Sequence, residues 1–157
     1  MTPLIIFGAK YLIIAVALAG AAAVAFAGER RNRLMIVLVV ALPLGYALAR
    51  LAGLFYAHYQ PFAVGGFEPL IPHEVDNSFP SDHVLIGGVF ASVAFLADRR
   101  VGLVLWVLAL LVGLARMLAG LHYGVDVLAA AILAVFAVCA AYWVLKKLAP
   151  RVGTRQP

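Results

Sequence analysis

Residues Val101–Ala119 read VGLVLWVLALLVGLARMLA, and this stretch decides the fold class. Its only charged residue is Arg116, near one end. As a helix rising about 1.5 Å per residue it would extend roughly 28 Å, close to the hydrocarbon thickness of a bilayer. Four further apolar stretches surround it: Ile5–Ala27, Leu34–Ala57, Ser81–Ala97 and Tyr123–Leu145. The whole chain is 66% hydrophobic and 12% charged, with a mean hydropathy of +1.05. A soluble domain carries about twice that charge fraction. This excludes a water-soluble enzyme, a disordered chain and a disulfide scaffold. The expected fold is all-α, a polytopic transmembrane bundle of five spans. At 157 residues it has room for one domain. Within it, 1–57 hold two spans, 58–80 form one long outer loop, 81–145 hold three more spans, and 146–157 form a basic tail. Ser81–Ala97 is the shortest span, so its outer end is expected slightly below the membrane surface. Pro43 lacks an amide hydrogen and is expected to kink the second span.

The basic residues orient the chain. Arg30, Arg31, Arg33, Arg99, Arg100, Lys146, Lys147, Arg151 and Arg155 all fall on one face of a five-span arrangement. By the positive-inside rule that face is cytoplasmic, with the amino terminus outside and the carboxyl terminus inside. All four histidines, His58, His73, His83 and His122, fall at the outward end. The amino terminus lacks the basic n-region of a cleaved leader, so Ile5–Ala27 is expected to remain as a span. The formal charge of +5 reflects this asymmetry and implies no nucleic-acid partner; the basic tail reads as an anchor to anionic lipid. Cys139 has no intrachain partner. Lys10, Arg50 and Arg116 break the pattern, each near the outer end of a span. An arginine at the centre of a span costs about 2.5–3.5 kcal/mol on insertion scales, so one placed there usually has a task. Snorkelling to the headgroups is the competing reading, strongest for Lys10.

Two clusters carry chemistry. The first is Asn77-Ser78-Phe79-Pro80-Ser81-Asp82-His83, opening the third span. The second is Arg116-Met117-Leu118-Ala119-Gly120-Leu121-His122-Tyr123-Gly124-Val125-Asp126, joining the fourth to the fifth. Pro80 suits a helix start, which Ser81 or Ser78 can cap, and a helix amino terminus favours phosphate. His122 and Asp126 stand four apart and share a face. A carboxylate on one imidazole nitrogen fixes the tautomer and leaves the other free to attack or to accept a proton. Arg116 offers a planar fork for an anion. Each element alone has a bland reading as a cap, a structural hydrogen bond or a headgroup anchor. Two histidines, a carboxylate, an arginine and two helix starts on one outer surface are not explained that way.

Pro80-Ser81-Asp82-His83 and Arg116-x5-His122-x3-Asp126 resemble the second and third motifs of the type-2 phosphatidic acid phosphatase superfamily. The longer run Pro69–His83 is similar to its bacterial undecaprenyl-diphosphatase branch, associated with bacitracin resistance. The resemblance covers about Arg50 to Val127. It implies that His122 is a nucleophile forming a phosphohistidine, that Asp126 orients it, and that His83 protonates the leaving oxygen. Arg116 and Ser81 would hold phosphoryl oxygens, and Asp82, which stands where the family commonly has Gly, is expected among the substrate-binding residues. The substrate would be a lipid phosphate in the bilayer of a bacterial or archaeal cell, most simply undecaprenyl diphosphate. No cofactor is implied, and no HExxH, carboxylate cluster or Cys/His spacing offers a metal site.

The family's first motif, Lys-x6-Arg-Pro, is altered. Gln60 stands where Arg is expected, and its uncharged amide is still expected to donate to substrate; Gly53 stands where Lys is expected, and Arg50, one turn earlier, is the expected substitute. Ala115 replaces a common Ser. Another lipid phosphatase or phosphotransferase, or a non-catalytic lipid-diphosphate binder, are the competing functions. His58 and His73 read as loop residues with solvent or backbone partners. Tyr56, Tyr59, Phe62 and Phe67 read as an interfacial belt. Glu68, Glu74 and Asp76 read as loop-ordering groups, Asp76 alternatively as a partner to a site residue.

Overall fold

The computed structural model describes residues 1–148. The basic-tail residues Arg151 and Arg155 lie outside that range, whereas Lys146 and Lys147 close the last helix. Seven α-helices account for the described residues: α1 Thr2–Lys10, α2 Leu12–Ala25, α3 Arg31–Phe55, α4 Pro61–Gly65, α5 Asp82–Ala97, α6 Arg99–Leu118 and α7 Gly124–Leu148. A 3-10 turn, Gly28–Arg30, precedes α3. Among the described residues the β-type pairing is a single isolated bridge between Tyr59 and Asn77.

Three helices are long and apolar enough to cross a membrane alone, namely α3 with its leading turn, α6 and α7. The stretch expected as one unbroken first span is two helices, α1 and α2, bent by 42° about Tyr11. Counted as one broken span, that pair makes a fourth. The remaining apolar helix, α5, has 16 residues and a length of only about 24 Å. Helix α3 runs continuously through Pro43.

The short helix is the central one. Helix α5 packs against α2, α3, α6 and α7. Small residues allow that density, as they do wherever backbones must approach closely in lipid. A Cβ on Gly102 would stand 2.3 Å from the Phe95 backbone, so α6 folds back onto α5 directly after the turn. Val84, Leu85, Val89 and Val93 of α5 share a core with Val37 and Ala41 of α3 and with Ala130, Ala134 and Val138 of α7. Leu103, Val104, Val107, Leu111, Leu128 and Ile132 point outward and are exposed. A shell of exposed leucine, isoleucine and valine suits lipid as the solvent.

Asp98 starts α6 by accepting hydrogen bonds from the amides of Arg100 and Val101, at 2.8 and 3.0 Å. At the same end, Arg30 donates to the carbonyls of Leu96 and Ala97 at 2.9 and 2.8 Å, and the Arg33 guanidinium lies 4.5 Å above the Tyr142 ring. The basic turn before α3, the α5–α6 turn and the end of α7 therefore gather at one end of the bundle. The residue 58–80 segment, the start of α5 and the α6–α7 turn gather at the other.

Candidate active site

The 58–80 segment lies folded down on the α6–α7 turn. Gln60 precedes α4, with Pro61 at the first helical position where its missing N–H is harmless. Gly66 ends α4 in the left-handed region, at φ 63°. The amides of Phe62 and Leu70 donate to the carbonyls of Gly120 and Ala119, at 3.1 and 3.2 Å. Gly120 has φ 81°, and a Cβ there would stand 2.6 Å from the Phe67 ring. Both the turn and the ring that covers it thus require glycine. Phe62 is buried against Ala119 and Leu121. Gln60 is 1% exposed, and its amide clamps the far side of the segment. It donates to the Asp76 carboxylate and to the Glu74 carbonyl, and accepts from the Asp76 amide at 3.1 Å. Gln60 therefore joins the two halves of the loop and does not line the cleft beside it.

That cleft has a volume of about 130 Å³ and is walled by Arg50, His73, Asp82, His83, Arg116 and His122, with Asp76, Asn77 and Pro80. Three segments far apart in sequence supply its walls, all at the end of the bundle opposite the basic turns. Burial and the nearby Arg116 guanidinium push the His73 imidazole below its ordinary range.

His122 is 8% exposed and Asp126 fully buried in the first turn of α7. The sequence suggested a direct bond between them. Instead His122 Nδ1 lies 3.6 Å from Asp126 Oδ2, beyond hydrogen-bond reach. Nδ1 lies 2.9 Å from the Ser78 carbonyl oxygen, and the Ser78 hydroxyl donates to Asp126 Oδ2 at 2.6 Å. A carbonyl can only accept, so Nδ1 carries the hydrogen and Nε2 the lone pair. The same Oδ2 accepts from the Tyr123 amide at 2.8 Å. Ser78, considered from sequence only as a helix cap, therefore stands between histidine and carboxylate. Asn77 and Ser78 were visible in the motif, but only folding reveals that Ser78 faces α7.

Arg116 is buried near the end of α6. Its Nη1 stands 3.3 Å from His83 Nε2 and donates at 3.3 Å to the carbonyl of Ala9. Ala9 lies in the last turn of α1, where helical carbonyls lose their partners and the helix dipole is negative. The bend at Tyr11 thus creates an acceptor for Arg116. His83 sits in the first turn of α5, whose N-cap is Ser81. The Ser81 hydroxyl makes no cap bond; it is buried and unpartnered among the described residues, while the Ser81 amide donates to the Asp126 carbonyl at 3.2 Å. Arg50 and Asp82 form an ion pair at 2.6 Å, about half exposed, with the Arg50 guanidinium over Tyr46. His58 lies beneath the cleft wall, its Nε2 3.1 Å from Asp126 Oδ1. Nothing in its sequence context distinguishes it from a solvated loop histidine.

The model of the PAP2 superfamily matches residues 34–150. The bacitracin transport permease protein BcrC of Bacillus licheniformis is 35% identical over 150 residues, covering 94% of this chain and 73% of that protein. Undecaprenyl-diphosphatase BcrC of Bacillus subtilis is 33% identical over 133 residues, covering 84% of this chain and 68% of that protein. The crystal structure of Aquifex aeolicus LpxE superposes with a TM-score of 0.62 at 20% identity, covering 88% of this chain and 92% of that one. At that identity the likeness speaks for the fold alone.

Proposed function

The chain belongs to the PAP2 superfamily and is a membrane hydrolase, and from that premise we propose that it removes the terminal phosphate of a lipid diphosphate, undecaprenyl diphosphate in particular. The name of the Bacillus subtilis relative supports this substrate, as does the siting of a small polar cleft at one end of an apolar bundle. A long prenyl tail remains in lipid while the diphosphate enters the cleft. The observation that carries the reading is the hydrogen bond from His122 Nδ1 to the Ser78 carbonyl, which leaves Nε2 as an available nucleophile.

The chemistry follows from the residues. His122 Nε2 attacks the terminal phosphorus, and the bond from phosphorus to the bridging oxygen breaks. His83 donates a proton to that leaving oxygen, giving the lipid monophosphate and a phosphohistidine. Water then attacks phosphorus with His83 as base, releasing phosphate and restoring the ring. Arg116, held by the Ala9 carbonyl, compensates charge on the transferring oxygens once substrate replaces its contact with His83, and Arg50 approaches from the rim. The Ser81 hydroxyl, which lacks another partner among the described residues, is a further donor to the phosphoryl group. In this reading Gln60 supports the loop and Asp82 holds Arg50.

The proposed topology keeps five spans, α1 and α2 forming a broken first one, with the cleft on the outer face. Its support is the separation of the basic turns from the cleft along the bundle. Purified protein in detergent with excess chelator should release phosphate from a prenyl diphosphate faster than from phosphatidate or phosphatidylglycerophosphate. Equal rates on all three would remove the diphosphate assignment. Binding without phosphate release would instead identify a lipid-diphosphate carrier.

A further inference from the structure

The Asp126 carboxylate is fully buried, yet the donors described so far serve only Oδ2. Oδ1 faces His58 Nε2 at 3.1 Å, within ion-pair distance, and neither atom meets hydrogen-bond geometry with any partner among the described residues. A buried carboxylate oxygen without a donor is costly, and so is a buried ring N–H without an acceptor. At 3.1 Å a small turn of the imidazole aligns the two and satisfies both needs. The imidazole has little freedom to turn away. Its ring lies 5.1 Å from Tyr56 and 5.2 Å from Tyr123, with Phe79 at 6.2 Å. Its backbone is fixed as well: the His58 amide donates to Asn77 Oδ1 at 3.2 Å, and its carbonyl accepts from the Ser78 amide at 2.8 Å.

We propose that His58 is a positioning residue for catalysis, donating through Nε2–H to Asp126 Oδ1 so that the carboxylate is held between two imidazoles, those of His58 and the nucleophilic His122. This rests on the phosphatase reading above. His58 touches neither substrate nor phosphorus. It completes the donors around Asp126, and Asp126 in turn holds the Ser78 hydroxyl beside His122. The same residue registers Ser78 through its own carbonyl, so side chain and backbone fix the two partners of the nucleophile together.

The test separates the donor from the packing. His58→Phe keeps an aromatic ring among Tyr56, Phe79 and Tyr123 but removes the N–H; His58→Gln keeps an N–H at similar reach and removes the ring. His58→Phe should lower kcat on a prenyl diphosphate at least about tenfold with KM within about twofold. His58→Gln should recover most of that loss. A second readout needs no substrate. In ¹⁵N-histidine-labelled protein, His58→Phe should shift the His122 ring nitrogens while His58→Gln leaves them close to wild type. Unchanged His122 resonances in folded His58→Phe would overturn the inference, even if the chain hydrolyses nothing. So would equal loss of kcat in both variants accompanied by equal loss of thermal stability. Absence of hydrolysis in the wild type, with the resonance shift present, would refute the phosphatase reading and leave the His58 contact standing.

Discussion

At the scale of single residues, the distances distinguish roles that the motif spacing merges. The His122 tautomer is set by a main-chain carbonyl, which no side-chain substitution removes. Asp126→Asn should therefore preserve the ring orientation and act through lost charge, lowering kcat by about 10²-fold. Ser78→Ala keeps the carbonyl and loses only the hydroxyl bridge, so its loss should be smaller, roughly tenfold. Steady-state rates of the two variants on one prenyl diphosphate test this order; a larger loss for Ser78→Ala would assign the hydroxyl the principal task. Arg50 is at the rim and half exposed, paired to Asp82. Arg50→Ala should cost about tenfold in kcat/KM, expressed mainly in KM, because a rim cation assists capture more than bond breaking. An unchanged KM would leave Arg116 and the α5 start as the phosphate site.

At the scale of helices and loops, the bend between α1 and α2 has a consequence that hydropathy does not reveal. It exposes the Ala9 carbonyl to Arg116, and Gly8 allows α1 to sit against α6, since a Cβ there would stand 3.0 Å from that of Ala115. Gly8→Leu should separate the two helices, raise KM about tenfold and leave the protein folded. Normal KM in that variant would make the Ala9 contact incidental. At the opposite end the amides of Val101 and Arg100 hold the Asp98 carboxyl below its ordinary value. A depressed carboxyl adds stability above the unfolded pKa and loses it as pH falls through the folded one. Asp98→Ala should therefore lower Tm at pH 7 in detergent, and the difference from wild type should close below roughly pH 4. A difference that persists in acid would point to packing instead of the cap.

These elements also show how far the sequence reaches. Helices α3, α6 and α7 were readable because an apolar run of sufficient length has few alternatives in lipid. His83, Arg116 and His122 were readable because their spacing falls at helix ends, where geometry is predictable, and the structure brings all three to one cleft. The bend at Tyr11 was not, because Lys10 reads as a snorkelling cation, Gly8 is compatible with a continuous helix, and no proline stands at the break. Gln60 was aligned with a charged family position, but its amide fits the loop backbone and Asp76. His58 and Ser78 acquire their partners only when the loop folds onto α7, a non-local contact that no window of sequence contains.

For the molecule as a whole, the separation of charge from cleft predicts orientation. In a Cys139→Ala background, a cysteine at Gly66 should react with an impermeant maleimide in intact cells, and one at Glu29 only after permeabilisation. The reverse pattern would place the cleft in the cytoplasm. In the proposed reaction the apolar shell would retain the lipid tail, and the short central helix α5 carries His83 into a cleft facing His122 and Arg116. Trapping of the phosphoenzyme decides whether His122 is the nucleophile. Protein mixed briefly with a prenyl diphosphate labelled at its terminal phosphate and quenched in alkaline detergent should carry base-stable, acid-labile label on the peptide containing His122, and His122→Ala should carry none. Full turnover by His122→Ala, or label on any other residue of the wild type, would contradict the account.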